Sequence, residues 1–213
     1  MYETAKKPYT FGMDLPLFPI GEVVLLPGMG LPIYVFEPRY RELLGRVRQT
    51  GEAIGIPCVL PENVSKGNDL DARLARVGTL AHLTQVNYNP DGTAEILVVG
   101  GERYSILEFD HVSQPYSVAK VEMMPLEPSD PKWVKAVAQG VVERFIEKVK
   151  PRLGDVRPEI PDDSLLQASF VAANLGLAEN ERYKIQRVLE ANSLLERFEV
   201  ISELLGVSQK QLN

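Results

Sequence analysis

The chain has 213 residues, 45% of them hydrophobic and 24% charged, with a formal net charge of −6 and a single cysteine, Cys58. That length makes one large domain or two small ones with core enough to fold without a metal or disulfide, and one cysteine excludes an intrachain bridge and suits a reducing cytoplasm. The acidic balance holds in both halves, with 11 basic against 15 acidic residues in 1–126 and 12 against 14 in 127–213, which speaks against a basic nucleic-acid module; no apolar run reaches the ~20 residues of a membrane helix and no secretory core follows Met1.

In chain order, residues 1–14 are a polar lead-in. Val23–Leu26 is an apolar, β-branched run that reads as a strand, Pro27-Gly28 as a turn, and Leu31–Phe36 as a second strand that tolerates Pro32 near its start. Pro38 suits the first position of a helix whose apolar face is Tyr40, Leu43, Leu44 and Val47. Arg39, Glu42 and Arg46 lie on its polar side, and it should end near Gly51. Ala53–Leu60 reads as a strand with Pro57 at an edge. Pro61–Arg73, with Gly67-Asn68-Asp69, reads as a mobile surface loop. A meander follows: Val77–Tyr88, the turn Asn89-Pro90-Asp91-Gly92, Thr93–Val99, a second turn at Gly100-Gly101, and Glu102–Phe109. Ser117–Met124 alternates as a further strand. About six or seven strands are enough to curl a sheet toward a barrel.

Pro125–Pro131 is the internal boundary, dividing a β-rich unit, 1–126, from a helical one, 127–213. Beyond it the hydrophobic period changes from 2 to 3.6. Val134, Val137, Val141, Phe145 and Val149 form one stripe, Asp130 or Ser129 caps the helix, and Pro151 should stop it. Arg152–Pro161 reads as a linker. Asp162-Asp163-Ser164 caps a helix to Leu175 with Gly176 after it. A third helix is expected over Ala178–Ala191. A fourth opens with Ser193-Leu194-Leu195-Glu196, the spacing of a capping box. Each half should close its own core.

The stretch from Leu15 to Tyr40 carries several short words in one order: Leu15-Pro16-Leu17-Phe18-Pro19, Val24-Leu25-Leu26-Pro27-Gly28, Leu31-Pro32 and Phe36-Glu37-Pro38-Arg39-Tyr40. With Gly101–Ile106 and Pro115–Glu122 they resemble the amino-terminal, substrate-recognition domain of the ATP-dependent Lon proteases. The resemblance spans nearly the whole chain. It implies an α+β fold, a PUA-like β pseudo-barrel with one early helix followed by a C-terminal helical bundle, and a polypeptide-binding role.

An intact Lon protease needs a phosphate loop of the form Gly-x-x-x-x-Gly-Lys-[Ser/Thr]. This chain has no Gly-Lys dipeptide and no segment resembling the serine–lysine protease domain, so a non-enzymatic module without cofactor is expected. His82, His111 and Cys58 match no zinc spacing. Asp162-Asp163 reads as a helix cap, Gly28-Met29-Gly30 as a turn, and the Asn63-Val64-Ser65 sequon carries no weight without a secretory signal. The candidate peptide-binding residues are Met29, Leu31, Tyr34, Tyr88, Tyr104 and Phe109, with Met29 foremost because a methionine between two glycines is hard to bury and makes adaptable contacts. The expected partner is unfolded or degradation-destined polypeptide, or a partner protein, in the cytoplasm. Besides an unrecognised hydrolase, two alternatives stand beside it. One is an RNA-binding PUA-like protein, using Arg39, Arg41, Arg46 and Arg48, although Glu37 and Glu42 interrupt that cluster. The other is a fragment of a full-length Lon protease, against which the start at Met1 and the polar finish Gln209–Asn213 read as natural ends.

Overall fold

The computed structural model describes residues 12–62, 69–153 and 158–206. The lead-in through residue 11, the Asn63-Val64-Ser65 sequon, Gly67-Asn68, residues 154–157 of the expected linker and the Gln209–Asn213 finish lie outside the described residues. In chain order the elements are strands β1 (Met13–Pro16), β2 (Ile20–Gly21) and β3 (Gly30–Val35), helix α1 (Pro38–Thr50), β4 (Ile54–Ile56), β5 (Cys58–Val59), α2 (Leu70–Arg73), β6 (Val77–Tyr88), β7 (Ala94–Asp110) and β8 (Val118–Met123). They are followed by α3 (Pro131–Leu153), α4 (Ser164–Ala173), a 3-10 segment (Glu179–Ile185) running into α5 (Gln186–Glu190), and α6 (Leu194–Leu204).

Strand β7 organises the sheet. Its first half lies between β3 and β6, with Tyr34 opposite Glu95, and its second half between β6 and β8, with Ile106 opposite Val121. The order is β1-β8-β7-β6-β4, with β3 also on β7. Leu17, just past β1, bridges Gly55 of β4, and the Phe18 N–H donates to the Gly55 carbonyl at 2.8 Å. That contact brings the two ends of the sheet together as a pseudo-barrel. The expected α1 stripe of Tyr40, Leu43, Leu44 and Val47 is buried against it, each large aliphatic contributing about 1.5–3 kcal/mol. The fold is α+β.

Four local expectations are corrected. First, Gly100-Gly101 does not turn the chain but lies within the 17-residue β7. The Gly28 N–H donates to the Gly100 carbonyl at 2.7 Å, and a Cβ on Gly100 would stand 2.3 Å from the Leu26 carbonyl oxygen. Glycine is needed there for the 26–29 turn to close on the strand. Second, Val23–Leu26 is not a strand. The chain pairs with β5 as far as the Glu22 N–H, which donates to the Val59 carbonyl at 3.0 Å, and then turns away through Glu22 at φ +55°. A β-branched run forms a strand only where a partner edge meets it. Third, Pro57 splits the expected Ala53–Leu60 strand into β4, on β6, and β5, on β2, and Asp69 caps the short α2 inside the expected loop. Fourth, Pro151 sits exposed in the last turn of α3 and does not end it, since one missing N–H near a helix end removes little of the ladder.

The helix caps are side-chain carboxylates and a hydroxyl. Asp130 accepts from Lys132 N–H, Asp163 from Leu166 N–H and Ser193 from Glu196 N–H, at 2.8, 3.0 and 3.2 Å. The Glu196 carboxylate takes the N–H of Asn192, one residue earlier than a capping box places it. The expected third helix is instead the 3-10 segment followed by α5. The helical core gathers Val134, Ala138, Val141 and Phe145 of α3 with Phe198 and Ile201 of α6, and Phe145 meets Phe170 edge-on at 6.1 Å. It does not close on itself. Leu26, from the β half, is buried within it, and Val24, Met29 and Val77 pack against it.

Candidate functional site

The strip from Glu22 to Leu31 faces the end of α4 and the 3-10 segment across a groove of about 380 Å³. Val23, Val24, Met29 and Leu31 form one wall, and Ala172, Ala173, Leu177, Arg182 and Ile185 the other. The strip is held from behind. The buried Thr79 hydroxyl donates to the Leu25 carbonyl at 2.6 Å, and the 26–29 turn is pinned on Gly100. In front, Leu166 of α4 packs so closely on Gly28 (φ +77°) that a Cβ there would meet its side chain at 2.2 Å. The apolar words Val24-Leu25-Leu26 are therefore divided: Leu25 enters the sheet core and Leu26 the helical core, while Val23 and Val24 stay half-buried in the groove.

Of the six candidate residues, the structure brings Met29 and Leu31 together in this groove, both half-buried. Met29 packs against both the sheet core and the helical core. Tyr34 is 52% exposed, stacks on Phe36 at 6.0 Å and donates its hydroxyl to Thr93. Tyr88, also 52% exposed, lies under the Arg48 guanidinium and accepts a hydrogen bond from it at 3.2 Å. Tyr34 and Tyr88 register with the adjacent residues Glu95 and Ala94 of β7, whose side chains point to opposite faces, so the two rings do not share a platform. Phe109 is half-buried between Arg76, 5.1 Å from its ring centre, and His111.

Tyr104 is a core residue, fully buried and out of reach of a ligand. Its hydroxyl fits against two glycines: a Cβ on Gly78 would lie 2.3 Å from it and one on Gly55 2.7 Å. The hydroxyl has no partner among the described residues, and burial raises its pKa. Alternation along β7 could not reveal this, because a tyrosine suits either face of a strand; the isolated glycines in β4 and β6 were the available signal.

Two charged features escaped the sequence reading. Arg103 is buried where the halves meet. Its Nε donates to the Met124 carbonyl at 2.7 Å, Nη1 to the carbonyls of Leu189 (2.8 Å) and Ala191, and Nη2 reaches Pro125 and Asn192 at 3.4 Å. Burial lowers its pKa, opposed by Glu196 and Glu127. Glu22, at the mouth of the groove, has one carboxylate oxygen buried without a hydrogen-bond partner. Behind it, burial pushes the Cys58 thiol up to about 12, with the Glu22 charge adding to the effect, so this cysteine is an inert core thiol. His82 is exposed on β6 and His111 pairs with Asp71 at 2.7 Å. Among the described residues no three His, Cys, Asp or Glu side chains form a metal-binding group, and no helix is long and apolar enough to cross a membrane.

Comparison with known proteins places this geometry. The profile of the ATP-dependent protease La (LON) substrate-binding domain matches residues 14–206. The Lon protease of Rhizobium meliloti is 28% identical over 198 residues, covering 90% of this chain and 24% of the relative. That of Cytophaga hutchinsonii is 28% identical over 207 residues, covering 92% and 24%. The chain thus spans about a quarter of the length of the curated relatives it matches. Among solved structures, the N-terminal domain of Mycobacterium avium complex Lon protease superposes with a TM-score of 0.63 at 17% identity, covering 91% of this chain and 98% of that one. The Lon N-terminal domain protein from Xanthomonas campestris gives 0.60 at 24% identity, again covering 91% and 98%. Both are likenesses of fold.

Proposed function

The chain belongs to the family of Lon protease substrate-binding domains, and from that premise we propose that it is a non-catalytic module that recognises unfolded or degradation-destined polypeptide, or a partner protein, in the cytoplasm. The observation that carries the reading is the groove at Met29 and Leu31. Its walls are mainly apolar, it lies between the two halves of the fold, and a half-buried methionine forms part of its lining. Apolar concave surface with an adaptable side chain is what a binder of varied unfolded sequences requires. We take 1–126 and 127–213 as the two structural units whose meeting builds it.

RNA recognition is the second reading, favoured by the exposed Arg48–Tyr88 pair and the Tyr34–Phe36 stack. Against it, Glu37 engages Arg39 and Glu52 engages Arg46, which leaves little free positive charge for phosphates.

The test is binding of a fluorescent, reduced and S-carboxymethylated unfolded protein, read by anisotropy. Met29→Gln with Leu31→Gln should weaken it by about tenfold or more, the loss of roughly 1.4 kcal/mol of apolar contact, with a lower melting temperature but an unchanged circular dichroism spectrum at the assay temperature. Unaltered binding by that variant would remove the groove from the reading. A salt-resistant, sequence-selective RNA complex would favour the second reading.

A further inference from the structure

We propose that the groove takes its polypeptide as an extended strand, paired main chain to main chain along Val23 and Val24, and that Glu22 selects a lysine or arginine side chain on that strand. This rests on the polypeptide-recognition reading above and specifies how it is done.

The first ground is an unused edge. Val23 and Val24 line the groove half-buried, yet neither residue's N–H or carbonyl makes a hydrogen bond among the described residues. Backbone polar groups held in a partly dry wall are under-satisfied. The same segment has the β-branched composition of a strand and lacks only a neighbour. An extended segment supplies one, as in other cases of strand addition to a free edge. A helical ligand could not, because its own backbone groups are already paired.

The second ground is how the edge is made. Glu22 is the one non-glycine residue with positive φ among the described residues, at +55°. That conformation is disfavoured for a residue with a Cβ and persists where the surroundings hold it, often at ligand clamps. Here it releases the chain from β5 after the Glu22 N–H and turns the following residues into the groove.

The third ground is charge. Glu22 lines the groove half-buried, and one of its carboxylate oxygens is buried with no partner; a cationic donor that meets the carboxylate from the groove offsets this uncompensated charge. The other charged residue of the lining, Arg182, is exposed and solvated, so an acidic ligand would gain only a weak rim contact there. The complementary occupant is an extended apolar segment carrying one lysine or arginine, its alternate side chains directed to the walls at Met29 and Leu177.

The probes are an end-capped, fluorescein-labelled nonapeptide, Gly-Ser-Val-Leu-Lys-Val-Leu-Ser-Gly, its counterpart with Glu in place of Lys, and two versions N-methylated on alternate sets of backbone amides. The intact chain should prefer the Lys peptide by about tenfold, the worth of one charge-assisted hydrogen bond. Glu22→Gln should reduce the preference below about threefold, and Arg182→Gln should leave it in place. One methylated set should lose about tenfold in affinity and the other little, because strand N–H groups face the two edges alternately. Equal affinity for Lys and Glu peptides, a preference that survives Glu22→Gln, or full binding by both methylated sets would overturn the proposal. The methylated peptides decide the pairing on the unaltered chain should Glu22→Gln fail to fold. Loss of peptide binding with groove-dependent binding of the unfolded protein intact would overturn this inference alone. Failure of the unfolded protein to bind would overturn the recognition reading as well.

Discussion

The two halves of the molecule meet at two places that differ in what they leave free. Around Arg103 the contact is polar and nearly complete: each guanidinium nitrogen reaches backbone carbonyls, those of Met124 and Pro125 on one side and Leu189, Ala191 and Asn192 on the other, and of the Gln186 side chain at the same junction only Oε1 is buried without a partner among the described residues. Gln186 adds a hydrogen bond to the Val77 carbonyl at 2.8 Å, and the Glu127 N–H one to the Asn192 carbonyl. Along Glu22–Leu31 the halves stand across a groove, with apolar side chains, the main-chain groups of Val23 and Val24 unpaired among the described residues, and a Glu22 carboxylate oxygen lacking a donor. A saturated contact can only hold, whereas an unsaturated one can bind. The first therefore serves as the latch of the fold, and the second is the surface we propose binds polypeptide.

The strongest challenge to that contrast is Arg103→Met. Removing the guanidinium strands several buried carbonyls, and a loss of about 1–3 kcal/mol is expected from leaving such acceptors without a donor. Urea unfolding of the full chain measures it; a change under about 1 kcal/mol would show that the latch is ornamental. By the same argument the 1–126 fragment, which lacks the Leu189, Ala191 and Asn192 carbonyls of the latch and exposes Leu26, should melt below the full chain.

A smaller effect of opposite sign sharpens the comparison. Arg197 is also buried, 2% exposed, yet its side chain makes no hydrogen bond among the described residues, and its Nε is buried and unpartnered. Burial, with the nearby charge of Arg103, pulls its pKa down to about 10. A buried charge without partners is replaceable by a hydrophobe of similar volume, so Arg197→Met should stabilise by about 1 kcal/mol. The same urea measurement checks it, and a loss comparable to that of Arg103→Met would mean that Arg197 has partners the contrast overlooks.

A pH-dependent effect concerns Cys58, behind the groove wall. Its thiol is held protonated in the fold, with its pKa raised from 9.0 to about 12 by burial and the Glu22 charge. The unfolded chain ionises it above pH 9, so the contribution of this shift to stability is complete below pH 9 and is lost as pH rises toward 12. The stability difference between the native chain and Cys58→Ala should therefore shrink between pH 8 and pH 10.5. Native Cys58 should also resist alkylation at pH 8.5, and rapid labelling would show that the wall opens.

Much of this architecture was legible in the chain. The α1 stripe from Tyr40 to Val47, the strands Val77–Tyr88 and Val118–Met123, the α3 stripe and the caps at Asp130, Asp163 and Ser193 follow from periodicity and from side chains that satisfy their own neighbouring N–H groups. These are local relations, set within a few residues, and the sequence determines them by itself. Met29 and Leu31 could be nominated in the same way, from a methionine between glycines and an apolar run beside a turn.

Tertiary structure decided the rest, because it depended on groups distant in the chain. Val23–Leu26 and Val118–Met123 have comparable strand character, but β1 and β7 flank the second, while the first leaves β5 at Glu22 and finds no edge. Gly100 is a strand residue because the Leu26 carbonyl, far away in sequence, presses against it; Tyr104 lies in the core because Gly55 and Gly78 leave space for its ring. The Arg103 latch joins carbonyls more than eighty residues away. A side chain's period records which face it occupies, but whether a hydrogen-bonding group finds a partner is settled only when the chain closes, and the groove is where several of them do not.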